Sequence, residues 1–133
     1  MKVIRTSAVV TALAIAAGCA PMERGGNNGH SSTVVAATPT GPAVSCIPIV
    51  QISETRVRDD WTIDFRTAAN RWYRNTLPQR CAPLGVERAF SYSTSLSQLC
   101  NVDIITVLHT GGAGPMRLGS CGLGQFQPVT LAK

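Results

Sequence analysis

Three short stretches can be read in register: residues 53–58, where uncharged and charged side chains alternate, residues 62–67, where Ile63 and Phe65 alternate with polar neighbours, and residues 71–77, separated by Asp59-Asp60-Trp61 and Ala68-Ala69-Asn70. A period of two is the mark of a half-buried strand, and short polar breaks between such runs are hairpin turns. Register follows from the loop length. A two-residue Asp59-Asp60 loop would set Arg58 across from Trp61 and Arg56 across from Ile63, mixing charged and apolar groups on one face. A three-residue loop pairs Val57 with Ile63 and Thr55 with Phe65 on one face, and Arg56 with Asp64 and Glu54 with Arg66 on the other. A slip of one residue flips every side chain, so the register that segregates the faces is selected. The two opposite-charge pairs support it independently.

The second turn obeys the same rule. Asn70 tolerates the left-handed backbone that a three-residue loop needs at its last position. Phe65 then faces Tyr73, Ile63 faces Asn75 and Trp61 approaches Leu77. On the polar face Asp64 meets Arg74 as well as Arg56, and Trp72 offers Arg66 a cation–π contact. The expectation is a mainly β domain: an antiparallel three-stranded meander, curled into a barrel-like or sandwich arrangement, with at most one short helix. Residues 104–108 read as a buried strand, residues 116–118 and 123–129 as strand pieces broken by glycines, and residues 95–100 as a short helix capped by Ser93 or Ser95.

The N-terminus carries a different kind of information. Lys2 and Arg5 precede a run of apolar and small residues that ends in Ala16-Ala17-Gly18-Cys19. A positive start, an apolar stretch and small residues before a cut site make an export signal. The stretch is shorter than the roughly 20 apolar residues a spanning helix needs. A cysteine directly after Ala-Gly is the acceptor pattern of a bacterial lipoprotein. Residues 1–18 are thus expected to be removed and Cys19 to carry the lipid. Each buried CH₂ of the acyl chains contributes ~0.8 kcal/mol to membrane attachment. Without Asp after Cys19, the outer membrane, facing the periplasm, is the expected location. Residues 20–45, rich in Gly, Asn, Ser, Thr, Ala and Pro, lack the large apolar side chains a core requires. They read as a flexible tether with ends about 28 Å apart, and His30 within it reads as a solvated linker residue.

The folded domain is then residues 46–133, small enough to need staples. It contains four cysteines, Cys46, Cys81, Cys100 and Cys121. An even number in an exported domain reads as two disulfides. No C-x-x-C or paired Cys/His spacing supports zinc. The first and third strands of a meander run parallel, so Cys46 and Cys81 belong at opposite ends and should not pair. The favoured pairing is Cys81–Cys100 with Cys46–Cys121.

Taken together, Cys46, Asp59-Asp60, Tyr73-x-Asn75-x-Leu77, Cys81, Leu99-Cys100, Asp103-x-Ile105 and Cys121-x-Leu123-Gly124-x-Phe126 resemble a family of small bacterial envelope lipoproteins of unknown function. The resemblance covers residues 46 to about 129. It implies an exported lipoprotein with a disulfide-stapled domain. It brings no reaction, ligand or catalytic residue.

Candidate chemistry is sparse. Asp59-Asp60 reads as a turn former rather than an acid/base or calcium pair. Asp103, just before the buried strand, reads equally as a catalytic carboxylate, a turn cap or an arginine partner. His109 is the domain's single histidine and lacks the partners of a triad or metal centre. The glycine-rich segment 111–124 contains no phosphate-loop pattern. Asn75, placed on the inner face, needs a hydrogen-bond partner there, and loop backbone is the expected one. The arginines are the best functional lead. The chain from Cys19 onward has ten basic residues, nine of them Arg, against seven acidic. Arg56, Arg58, Arg66 and Arg74 share the outer face of the meander with Trp72. Guanidinium forks suit carboxylates and phosphates, which the envelope supplies in lipid headgroups, lipopolysaccharide and peptidoglycan. The expected function is a non-enzymatic, lipid-anchored module without cofactor, contacting an anionic envelope component or a partner protein. Nucleic acid is not an expected partner. The alternative is an inhibitor of a periplasmic hydrolase. The lipoprotein reading makes a direct prediction: Cys19→Ser should move the chain from the membrane fraction to the soluble fraction, as followed by fractionation and immunoblotting.

Overall fold

The computed structural model describes residues 34–133, so the expected export segment, Cys19 and the first part of the expected tether, with His30, lie outside the described residues. Ten strands and one short helix follow one another as β1 (Ala37–Pro39), β2 (Cys46–Pro48), β3 (Ile52–Val57), β4 (Thr62–Thr67), β5 (Trp72–Thr76), α1 (Leu84–Glu87), β6 (Phe90–Tyr92), β7 (Gln98–Cys100), β8 (Ile104–His109), β9 (Met116–Gly122) and β10 (Phe126–Leu131). They form a five-stranded sheet in the order β1-β10-β5-β4-β3, a three-stranded sheet β6-β8-β9 and a two-stranded ribbon β2-β7. All pairings are antiparallel. The fold is mainly β with one short helix, as expected, and its sheets do not close into a barrel.

The meander has the expected register throughout. Val57 faces Ile63, Thr55 faces Phe65, Arg56 faces Asp64 and Glu54 faces Arg66. Across the next pair, Ile63 faces Asn75, Asp64 faces Arg74, Phe65 faces Tyr73 and Arg66 faces Trp72. The Leu77 amide donates to the Trp61 carbonyl at 2.8 Å. Asn70 takes the left-handed backbone, with φ of 57°. These are local consequences of alternation and loop length, which is why the sequence carries them.

Three other elements depart from the sequence reading. Residues 37–39, expected within the tether, form β1 and pair with the C-terminal strand, Thr38 opposite Thr130. Small side chains suffice there because an existing edge supplies the hydrogen bonds. Residues 95–100 are not helical: Gln98–Cys100 is β7, which pairs with β2, and the Thr94 hydroxyl bonds the backbone of the preceding turn at Leu96. The short helix is α1, ended by Arg88 in left-handed geometry. Finally, β9 runs unbroken through Gly119, where a broken piece was expected.

One core joins the sheets. Ile63, Phe65 and Phe126 from the large sheet, Ile105 and Val107 from the small one, and Ile47 and Leu99 from the ribbon pack into a single cluster with Leu77, Leu84 and Leu123. Phe65 sits at its centre, edge-on to Phe126 at 5.5 Å and to Phe90 at 6.5 Å between ring centroids. Such edge-to-face pairs add about 0.5–1.5 kcal/mol each beyond the area they bury.

Two disulfides are present, Cys46–Cys100 and Cys81–Cys121. The exclusion of Cys46–Cys81 holds, but the favoured pairing is corrected. β2 and β7 make Cys46 and Cys100 direct cross-strand neighbours, and β9 carries Cys121 to the chain that leaves β5. Both contacts depend on strand pairings distant in sequence. The bridges span 54 and 40 residues, for which the chain-entropy relation predicts about 4 kcal/mol each. Proteolysis without reduction, followed by mass spectrometry, should recover the Cys46–Cys100 and Cys81–Cys121 linked peptides. Replacing either pair with Ala should lower unfolding stability by about 2–5 kcal/mol.

Candidate functional site

Alternation along β3, β4 and β5 turns Glu54, Arg56, Asp64, Arg66, Trp72 and Arg74 to the face away from the core, and Arg58 continues the row past β3. The structure brings all five predicted site residues to this face but divides them into two groups. Asp64 is fully buried at its centre. Its Oδ1 accepts from Arg74 Nε at 2.8 Å. Its Oδ2 accepts from Arg74 Nη2 at 2.9 Å and from Arg58 Nε at 2.7 Å. The Arg58 and Arg74 side chains are only 16% and 15% exposed. Both carboxylate oxygens are thus consumed by a buried Arg–Asp–Arg clamp.

The sequence pairing of Asp64 with Arg56 is corrected here. Arg56 is the cross-strand neighbour of Asp64 by backbone register, yet its Nε bonds Glu54 instead. Diagonal neighbours lie within reach of long side chains, and Arg58 reaches Asp64 along that diagonal. Arg56 and Arg66 make the second group. Their side chains are 48% and 40% exposed. Both contact Glu54, Arg66 Nη1 at 3.4 Å. Both also approach the Trp72 ring, Arg56 at 4.9 Å and Arg66 at 5.9 Å from its centroid. Arg66 Nε is buried and has no hydrogen-bond partner among the described residues, so the Arg66 guanidinium is held there by the ring and by Glu54 at its outer end.

Charge on the face follows directly. Four guanidiniums share two carboxylates, which leaves a net +2. Arg forks held on an aromatic surface remain able to bond an anion bidentately. Beside Trp72 lies a cleft of ≈ 520 Å³ where the start of β5 meets the end of β10, lined in part by Asn70, Arg71 and Lys133. Sequence reasoning missed this cleft. It exists because β10 pairs with β5 and brings the C-terminus alongside Arg71, and no local pattern signals that.

The remaining candidates hold the fold. Asp59 Oδ1 accepts the Trp61 amide at 2.8 Å, closing the turn. Asp60 reaches outward: Oδ1 accepts the Gly85 amide at 2.8 Å and Oδ2 binds Arg80 Nη2 at 2.8 Å. A Cβ on Gly85 would sit 2.8 Å from that same Asp60 oxygen, so the helix approaches the turn only through glycine. Asp103 Oδ2 accepts the Cys100 amide at 2.7 Å, a turn cap. His109 Nδ1 contacts Glu87 Oε2 at 2.9 Å, tying β8 to α1. Asn75, fully buried, bonds loop backbone as expected. Its Nδ2 donates to the Gly124 carbonyl at 2.6 Å and its Oδ1 accepts the Gly124 amide at 2.8 Å. Among the described residues there is no group of three His, Cys, Asp or Glu side chains able to hold a metal ion. Nor is any helix there long and apolar enough to cross a membrane. Comparison with protein-family models, curated proteins and solved structures finds no match.

The two groups predict different mutational costs. Asp64→Asn leaves two largely buried guanidiniums without a counter-charge and should destabilise the domain by about 3–5 kcal/mol. Glu54→Gln breaks only half-exposed pairs and should cost under about 1 kcal/mol. Urea unfolding with the disulfides intact measures both.

Proposed function

We propose that this chain is a lipid-anchored bacterial envelope protein whose domain serves as a non-enzymatic binding module for an anionic envelope component or partner protein. The observation that carries the reading is the uneven sharing of charge on the meander's outer face. Arg56 and Arg66 have one carboxylate between them, remain substantially exposed and flank the Trp72 ring. A phosphate or carboxylate group meeting this face finds guanidinium donors, and the ring supplies a flat apolar surface for what the anion is attached to. Arg58 and Arg74 orient the sheet beneath and are not offered to a ligand. The export segment, Cys19 and the resemblance to envelope lipoproteins support the location.

In-cell photo-crosslinking tests the reading. Thr76 is exposed and lies on the same face of β5 as Trp72 and Arg74, so a photoreactive residue there samples the site. The comparison is between the otherwise wild-type chain and one also carrying Arg56→Ala, Arg66→Ala and Trp72→Ala. Arg74 is left intact because its loss would strand Asp64. A discrete adduct with protein, saccharide or lipid, lost in the triple variant at equal expression and with native disulfides, is the expected result. An adduct unchanged by the three substitutions, or none at all, would sink the proposal.

A further inference from the structure

We infer that β3 is a docking edge for a second copy of this chain, the two copies pairing their β3 strands antiparallel about a two-fold axis at Thr55. Among the described residues β3 is the outer strand of the large sheet and pairs with β4 alone. The phase of its hydrogen bonds is known. The hairpin closes with the Arg58 amide donating to the Thr62 carbonyl at 2.8 Å. Bonded and non-bonded pairs alternate in an antiparallel ladder. Glu54 and Arg56 therefore direct their backbone groups to β4, while Thr55 and Val57 direct theirs out of the sheet. The neighbouring ladder agrees: Leu77 bonds Trp61 and Thr67 bonds Arg71, so odd-numbered residues of β4 serve β5 and even-numbered ones serve β3.

Edges are usually guarded by charges that repel a second copy. The charges on β3 do the reverse. With the axis at Thr55, the two Thr55 residues exchange backbone hydrogen bonds. Glu54 of each copy then stands directly opposite Arg56 of the other, in the non-bonded pairs where side chains come closest. Other axis positions allowed by the ladder phase fail on charge. An axis at Arg56 or Glu54 sets like charges face to face, and one at Val57 opposes Arg56 to Arg58. Toward the N-terminus the bulge between Ile52 and Glu54 ends the regular run. Charge complementarity thus selects one register, and a two-fold pairing of one strand with itself closes as a dimer rather than growing into a fibre. The competing edge, β9, is longer but carries its own bulge opposite Val107 and Leu108 and a single charge, Arg117, with nothing to fix a register.

The pairing would join two five-stranded sheets into one of ten and set the two Arg/Trp faces side by side. It does not depend on what those faces bind.

Cysteine trapping tests the register in the full chain. Bonded antiparallel residues have Cα atoms about 5.5 Å apart, within disulfide reach. Thr55→Cys should therefore yield a covalent dimer in the oxidising envelope. Adding Glu54→Arg, which opposes Arg to Arg in both pairs, should abolish it. Adding both Glu54→Arg and Arg56→Glu restores opposite charges and should bring the dimer back. Absence of the dimer from a folded Thr55→Cys chain, or its indifference to Glu54→Arg, would overturn the proposal. In case the extra thiol disturbs the native bridges, light scattering of the detergent-solubilised chain without added cysteine decides independently. A concentration-dependent dimer lost with Glu54→Arg and regained in the swapped double variant is expected, and a monomer throughout the series refutes it.

Discussion

A single carboxylate, Asp64, lies fully buried on the side of the large sheet opposite the core, bonded by Arg74 from one neighbouring strand and by Arg58 from the end of the other. This contact lets β4 be covered on both faces, by hydrocarbon on one side and by guanidinium groups on the other. Burying a charge costs several kcal/mol unless it is fully paired and hydrogen-bonded. Here both oxygens are satisfied, one of them twice. The arrangement fixes β3, β4 and β5 laterally beyond their backbone ladders. It also determines which arginines remain for anything else.

The small sheet and the ribbon join the large sheet through the shared apolar cluster, and a few specific polar and covalent contacts fix how they sit. Asn75 exchanges two hydrogen bonds with Gly124, where a Cβ would lie 2.1 Å from the Thr76 carbonyl oxygen. Asp60 holds the start of α1 through Gly85, and Cys81–Cys121 ties the end of the meander to β9. Each is short in reach and specific in geometry, which suits a domain whose core is one modest cluster. Among the described residues, the outer face of the meander is covered by its own arginine and tryptophan side chains, of which Arg56 and Arg66 remain substantially exposed.

The meander was legible in the sequence because everything that sets it is local. Alternation identifies the faces, loop length sets the register, and Asn70 marks the turn that needs a left-handed residue. The inward position of Asn75 followed from the same register, and its need for a partner from elementary desolvation cost. The candidate face was legible as a set of residues but not as a site. Backbone register pointed to Arg56 as a partner of Asp64, whereas side-chain reach across the diagonal chose Arg58. That exchange separates structural arginines from available ones, and it is settled by side-chain length and strand twist.

The sequence by itself determined the meander, its pairing, the polarity of its faces and the presence of an even set of cysteines in the domain. These depend on interactions between residues close along the chain, where few alternatives compete. Only the tertiary structure decided which cysteines pair, that residues 37–39 form a strand, and that Lys133 stands near Arg71 across a cleft. These contacts join segments tens of residues apart. Their partners are selected by the packing of the whole domain around Phe65 and Phe126, and no short pattern in the chain encodes that choice.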